Sequence, residues 1–252
     1  MEDIIKGSNK ESYIVKPFTI DCNDAKTLDD GFSASIDNDG NLYLSIFVPL
    51  VSNEYLKRRI SVEKLIRDTC ALGGKKYISK DIRKQYSLQV GKKLVLSLKI
   101  KKDIDNIISC YVLCEEVEID NNYTFKNFNN DDFYSVLKDI LYANKDVNEC
   151  ACVKDLMSVY STMLSKYLYV NDLKYLSKGN LINKPEKKYR KGCFTAPLRD
   201  RDSFINQYIF LQYLVNKLKM DFNEELLLNS GGKALFNNNG VVKLKKLVKS
   251  GI

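Results

Sequence analysis

Histidine is absent from this 252-residue sequence. Its absence removes the commonest general base and the commonest zinc ligand together. Any catalysis must therefore use carboxylates, cysteine, lysine, tyrosine or a bound metal. Glycine and proline are scarce, at 12 and 4 residues, which argues against long disordered linkers. No run comes near the roughly 18 consecutive apolar residues that a membrane span requires. Residues 1–10 are polar and charged, with no apolar stretch of signal-peptide length. There is no internal repeat and no low-complexity block. These absences lead us to expect a cytoplasmic protein with no membrane partner. Cysteine is present seven times, an odd number, and its spacings match no zinc pattern. Free thiols in a reducing compartment are expected instead.

What the chain does have is lysine, asparagine, tyrosine and an excess of positive charge. The 40 basic and 32 acidic residues give a net charge of +8, which suits a polyanionic partner. The basic stretches are Lys57-Arg58-Arg59, residues 187–191 and residues 243–249. They serve as phosphate contacts on one reading and as solvated surface on the other.

Local patterns divide the chain into two halves. Strand-type runs cover Phe18-Thr19-Ile20, residues 32–36, 42–48, 94–100 and 107–119. Asp37-Asn38-Asp39-Gly40 is a hairpin turn between the second and third of these. Helical periodicity follows over residues 132–142, 153–168 and 203–220, with Asp131 or Asp132 as the expected N-cap of the first. Strands followed by helices indicate an α+β fold with one central sheet and no internal boundary. The expected organisation is a single domain over residues 1–252, with residues 221–252 as a C-terminal extension.

The segment Thr19-Ile20-Asp21-Cys22-Asn23-Asp24-Ala25-Lys26-Thr27-Leu28-Asp29-Asp30 carries four aspartates just after a strand. Their mutual repulsion is relieved by a bound divalent cation, and hard oxygen ligands select magnesium or manganese. Such an ion orients water and stabilises charge on a phosphodiester. A solvated acidic turn is the other reading.

This string resembles the first motif of the RNB family, the catalytic domain of RNase II, RNase R and the eukaryotic exosome nuclease. The family pattern is Thr-Ile-Asp, two residues, Asp-Ala, a basic residue, Asp, an apolar residue and Asp-Asp. It is matched at Thr19, Ile20, Asp21, Asp24, Ala25, Lys26, Leu28, Asp29 and Asp30. Further on, Phe194-Thr195-Ala196-Pro197-Leu198-Arg199 is similar to the family's Phe-Thr-Ser-Pro-Ile-Arg. Weaker matches lie between, at residues 41–52, 78–88 and 121–125, so the resemblance covers about residues 13–215. It implies an RNB-like domain with a mostly antiparallel sheet, flanked by helices from the second half. It also implies magnesium-dependent hydrolysis of single-stranded RNA from the 3′ end, releasing 5′-mononucleotides.

On that resemblance Asp21, Asp29 and Asp30 are the metal ligands, and Arg199 contacts the scissile phosphate. Asp24 is a weaker candidate. Phe125 falls where the family has a base-stacking tyrosine, with plain core packing as the other reading, and Thr195, together with Lys188 and Arg190 of the basic stretch, completes the candidate RNA contacts. The departures are as informative. Thr27 stands in place of a family aspartate, Leu50 and Phe47 in place of the Asp and His of a strand-end motif, and Gln207 in place of a later His. Only 18 residues precede the motif, so RNA-holding OB folds would have to come from other subunits. A catalytically weak RNB-like module, acting as an RNA-binding or structural subunit, is the alternative to an active exoribonuclease.

Overall fold

A computed structural model describes residues 13–71, 77–106, 108–142, 149–182, 189–219 and 226–227. The central element is a mostly antiparallel sheet. Its strands are β1 (Tyr13–Asp21), β2 (Gly31–Ile36), β3 (Leu42–Pro49), β4 (Gly91–Lys102), β5 (Ile108–Ile119), β6 (Asn121–Thr124) and, at an edge, the short β9 (Leu226–Leu227). The spatial order is β6-β1-β2-β3-β4-β5-β9. Every pairing is antiparallel except β1 with β6. A two-stranded hairpin, β7 (Tyr175–Ser177) with β8 (Asn180–Ile182), stands apart. The α+β architecture is thus as the order of sequence patterns implies.

Alternation sorts the strand residues onto two faces. Leu42, Leu44, Ile46 and Val48 of β3 join Leu96, Leu98 and Ile100 of β4 in the main core. Two helices pack over them, α4 (Asp131–Leu137) and the long α5 (Glu149–Val170). The intervening Phe47 points to the other face and packs with Leu88, Val95 and Ile119. Hairpin chemistry fixes the β2–β3 register. Asp37 accepts from the amides of Asp39 and Asn41 and from the Tyr43 hydroxyl, while Gly40 takes a φ of +81° that suits glycine.

Two readings need correction. Asn130, rather than Asp131 or Asp132, caps α4, accepting from the Phe133 amide at 2.9 Å. The helix also begins one residue earlier than the periodicity implied and passes into a π-type turn over Lys138–Tyr142. In addition, three helices arise in the first half: α1 (Asn53–Lys57), α2 (Val62–Ala71) and α3 (Lys80–Tyr86). The apolar spacing Val62, Leu65, Ile66 carries the signal for α2. Helices α1 and α2 pack on α6 (Arg201–Gln212). Between them lies a second core that includes Val51, Leu65, Tyr77, Leu198, Phe204 and Tyr208. Among the described residues, no helix is long and apolar enough to cross a membrane.

Candidate active site at the end of the first strand

Asp21 is the last residue of β1, and Asp29 and Asp30 come immediately before β2. The register Thr19↔Gly31 brings the two strand ends opposite one another, so the three aspartates meet at one end of the sheet. The connecting loop is held in place. It turns through a bond from the Ala25 amide to the Cys22 carbonyl at 3.0 Å. It is then tied to the segment after α3: the Leu28 amide donates to Ser87 Oγ at 2.9 Å, and the Leu88 amide donates to the Leu28 carbonyl at 2.9 Å. Gly31 is required for a steric reason, since a Cβ there would lie 2.1 Å from the Phe47 ring. The bulk of Phe47 on the second sheet face thus constrains the backbone next to Asp30.

Arg199 arrives from the distant turn before α6. Ala196 takes a φ of +67°, unusual for a residue with a Cβ, and its carbonyl accepts from the amides of Arg199 and Asp200 at 3.0 and 2.8 Å. Asp200 then caps α6 through the Ser203 amide. The Tyr77 hydroxyl donates to the Pro197 carbonyl, and Leu198 is buried in the second core. The turn is thereby fixed against the acidic end of the sheet.

Arg199 pairs directly with one aspartate, rather than facing all three across a groove as a shared scissile phosphate would suggest. Asp29 is 0% exposed; its Oδ1 accepts from the Leu198 amide at 3.0 Å and its Oδ2 from Arg199 Nε at 2.5 Å. Burial pushes Asp29 upward, while the guanidinium and the Leu198 amide pull it back. The guanidinium itself is held more firmly protonated: burial opposes its charge, but Asp29, Asp30 and Asp21 outweigh that cost.

The other two carboxylates are unsatisfied. Asp21 Oδ2 and Asp30 Oδ1 are buried atoms with no hydrogen-bond partner. Burial, above all, raises Asp21 to about 6, with Arg199 lowering and Asp29 raising it. Burial likewise raises Asp30 to about 7, helped by the charges of Asp29 and Asp21 and opposed by Arg199. Buried oxygens without partners are uncommon, and a bound ion is one physical reason for them. Among the described residues, no group of three or more His, Cys, Asp or Glu is arranged to hold a metal. Asp29 is engaged by Leu198 and Arg199, which leaves Asp21 and Asp30 as the carboxylates with an unpaired buried oxygen. Two suffice for magnesium, which keeps several waters and is completed by substrate phosphates. These residues fit such an ion.

The other sequence candidates fall in different surroundings. The Phe125 amide donates to the Asp21 carbonyl at 3.1 Å, and the residue is 37% exposed. Asp24 is exposed on the loop. The Thr195 carbonyl accepts from Ser203 Oγ within the arginine turn. Arg190 is exposed, with its carbonyl bound by the Tyr175 hydroxyl, and Lys188 lies outside the described residues.

The fold has known counterparts among solved structures. RNase R of Mycoplasma genitalium, solved with ribose methylated single-stranded RNA, superposes with a TM-score of 0.58 at 11% identity, over 94% of this chain and 56% of that one. The chain has the RNB-domain fold. Yeast Ssd1, described as a pseudonuclease, gives a TM-score of 0.57 at 12% identity, over 93% of this chain and 42% of that chain. An active-site mutant of the Dss1 exoribonuclease from Candida glabrata gives 0.50 at 9% identity, over 94% and 45%. The chain thus spans about half the length of the solved structures it matches. No protein-family model and no curated protein sequence matches it.

Three departures from the RNB pattern turn out to be structural. Leu50 is fully buried in the main core, and Phe47 fills the second sheet face. Gln207 accepts from Ser52 N and Oγ and donates to the Pro49 carbonyl, clamping α6 to the end of β3. Sequence reasoning missed this clamp. A glutamine in the middle of an apolar helix was the available signal. All five cysteines whose side chains are described are free.

Proposed function

We propose that this chain cleaves single-stranded RNA from its 3′ end with magnesium bound by Asp21 and Asp30. The observation that carries the reading is the pair of orphaned, buried carboxylate oxygens beside Arg199. A divalent ion there supplies charge neutralisation and an activated water. The protein's own groups do the rest. Asp29, locked by the Leu198 amide, fixes the Arg199 guanidinium at the acidic end. Its remaining N–H groups are donors for a phosphate oxygen, in the fork geometry that arginine offers. Asp29 is thus a positioning residue for Arg199. Phe125, whose amide bonds the Asp21 carbonyl, is partly exposed and can stack a base.

The test uses 5′-labelled single-stranded RNA and magnesium, comparing the intact chain with Asp30→Asn. Stepwise shortening that the variant loses supports the proposal. A second reading, an RNA-binding module without turnover, is favoured by two observations: Thr27 in place of an acid, and the direct Asp29–Arg199 pair. It wins if RNA is bound but remains full length with either magnesium or manganese.

A further inference from the structure

The turn that carries Arg199 contains one peptide unit gripped at both ends. The carbonyl of Pro197 accepts from the Tyr77 hydroxyl at 3.1 Å. The amide of Leu198, the other end of the same planar unit, donates to Asp29 Oδ1 at 3.0 Å. The C=O and N–H of a trans peptide point in opposite directions, so Tyr77 and Asp29 hold the plane from opposite sides. The proline ring locks its own φ, and the plane turns only about the Pro197 ψ and the Leu198 φ. Ala196, just before, sits at a φ of +67°, which is costly for a residue with a Cβ. Local preference would not choose this turn, and contacts from elsewhere in the fold hold it. Tyr77 is itself fixed. Its ring lies 5.2 Å from that of Phe204, and its carbonyl accepts from the Tyr55 hydroxyl at 2.9 Å. Burial, then the charges of Asp200 and Asp29, push its hydroxyl well above the usual tyrosine value, so it remains a protonated donor.

We propose that Tyr77 is a positioning residue for Arg199, acting through the Pro197–Leu198 peptide and Asp29. Its hydroxyl sets the peptide plane, and the plane aims the Leu198 amide at Asp29 Oδ1. Asp29, oriented by that amide, holds the guanidinium through Oδ2 at 2.5 Å. The inference rests on the proposed function, in which Arg199 meets a phosphate oxygen, and extends it to the residue that sets the Asp29–Arg199 pair. The hydroxyl carries the role, since the ring belongs to the second core with or without it. Removing the hydroxyl leaves the Pro197 carbonyl buried without this donor, which is unfavourable, and the plane turns to relieve it. Asp29 then loses the amide that anchors one of its oxygens. Misplacing a catalytic group by about 1 Å lowers turnover by about 100-fold.

The test compares Tyr77→Phe with Tyr208→Phe in the full chain. Both tyrosines belong to the second core, and each hydroxyl donates to a backbone carbonyl, that of Pro197 or that of Ile60. Each change is nearly volume-conserving, and unfolding midpoints establish that both variants fold. Nitrogen-15 NMR of the metal-free protein follows the Leu198 amide and the Arg199 Nε–H. Tyr77→Phe should shift both resonances and speed their hydrogen exchange by about tenfold, the loss of one hydrogen bond. Tyr208→Phe should leave both as in the parent. With 5′-labelled single-stranded RNA and magnesium, Tyr77→Phe should lower kcat by about 10–100-fold at an unchanged KM, and Tyr208→Phe should not. Equal changes in the two variants, or an Arg199 Nε–H that ignores Tyr77→Phe, overturn the assignment and leave the hydroxyl a packing group. A raised KM at an unchanged kcat also overturns it, because the tyrosine would then act on RNA binding. If the intact chain cleaves no RNA, the nuclease reading fails, and the NMR comparison alone decides whether Tyr77 positions Arg199.

Discussion

Replacing Asp30 with asparagine should make the metal-free protein more stable in mild alkali, because the site stores electrostatic strain. In the folded chain the Asp30 carboxyl is raised from 3.8 to about 7. A raised carboxyl contributes stability that is fully present below about pH 4 and is lost as the pH climbs through about 7. The difference of about 3 units corresponds to about 4 kcal/mol at most at pH of about 8.5. Asparagine removes the charge but leaves a buried polar group unpaired, which costs back about 1–2 kcal/mol. A net gain of about 2–3 kcal/mol is expected at pH of about 8.5, turning into a net loss of about 1–2 kcal/mol near pH 4, where the strain is absent and only the unpaired amide remains. Magnesium should act in the opposite sense. At about 100 times its dissociation constant a ligand specific for the folded state stabilises by about 2.7 kcal/mol, and the parent should gain this where the variant does not. The assay is urea unfolding of both proteins at the two pH values, with chelator and with magnesium. The other titrating groups are common to both proteins, so the difference reports Asp30 together with its interactions with Asp21, Asp29 and Arg199. If Asp30→Asn is no more stable than the parent at high pH in chelator, the strained-carboxylate argument is refuted. If magnesium stabilises both equally, Asp30 is not a ligand.

Asp29→Asn should be destabilising instead, by about 2–3 kcal/mol, because it leaves Arg199 without its buried partner; denaturant midpoints at neutral pH read this directly. Opposite stability effects at two adjacent aspartates would be hard to obtain from a solvated acidic turn. Gly31→Ala should cost about 1–3 kcal/mol through its clash with Phe47, and thermal melts should show part of the loss restored in Gly31→Ala/Phe47→Leu. Phe125→Ala should leave stability nearly unchanged but weaken RNA binding by about 1–3 kcal/mol if a base stacks there; an unchanged affinity in a binding titration would assign the ring to surface packing.

The sequence by itself determined the α+β class, the Asp37–Gly40 hairpin and the strand that ends in Asp21. Each depends on short-range signals, namely period-two alternation, turn chemistry and helical spacing, which are written in consecutive residues. The acidic string and the Phe194–Arg199 segment were legible as motifs for the same reason. Only the tertiary structure decided how those acids divide their work. Asp29 and Asp30 are neighbours in the chain, yet one is satisfied by Leu198 and Arg199 and the other has an oxygen without a partner. That difference arises from a contact spanning about 170 residues, which no local pattern encodes. The structural roles of Gln207 and Phe47 depend likewise on what packs against them from distant segments. The same is true of four cations. Lys26 is far in sequence from Lys80, Arg83 and Lys84, yet all four line one groove, where the Leu28–Ser87 bond ties the two segments to each other.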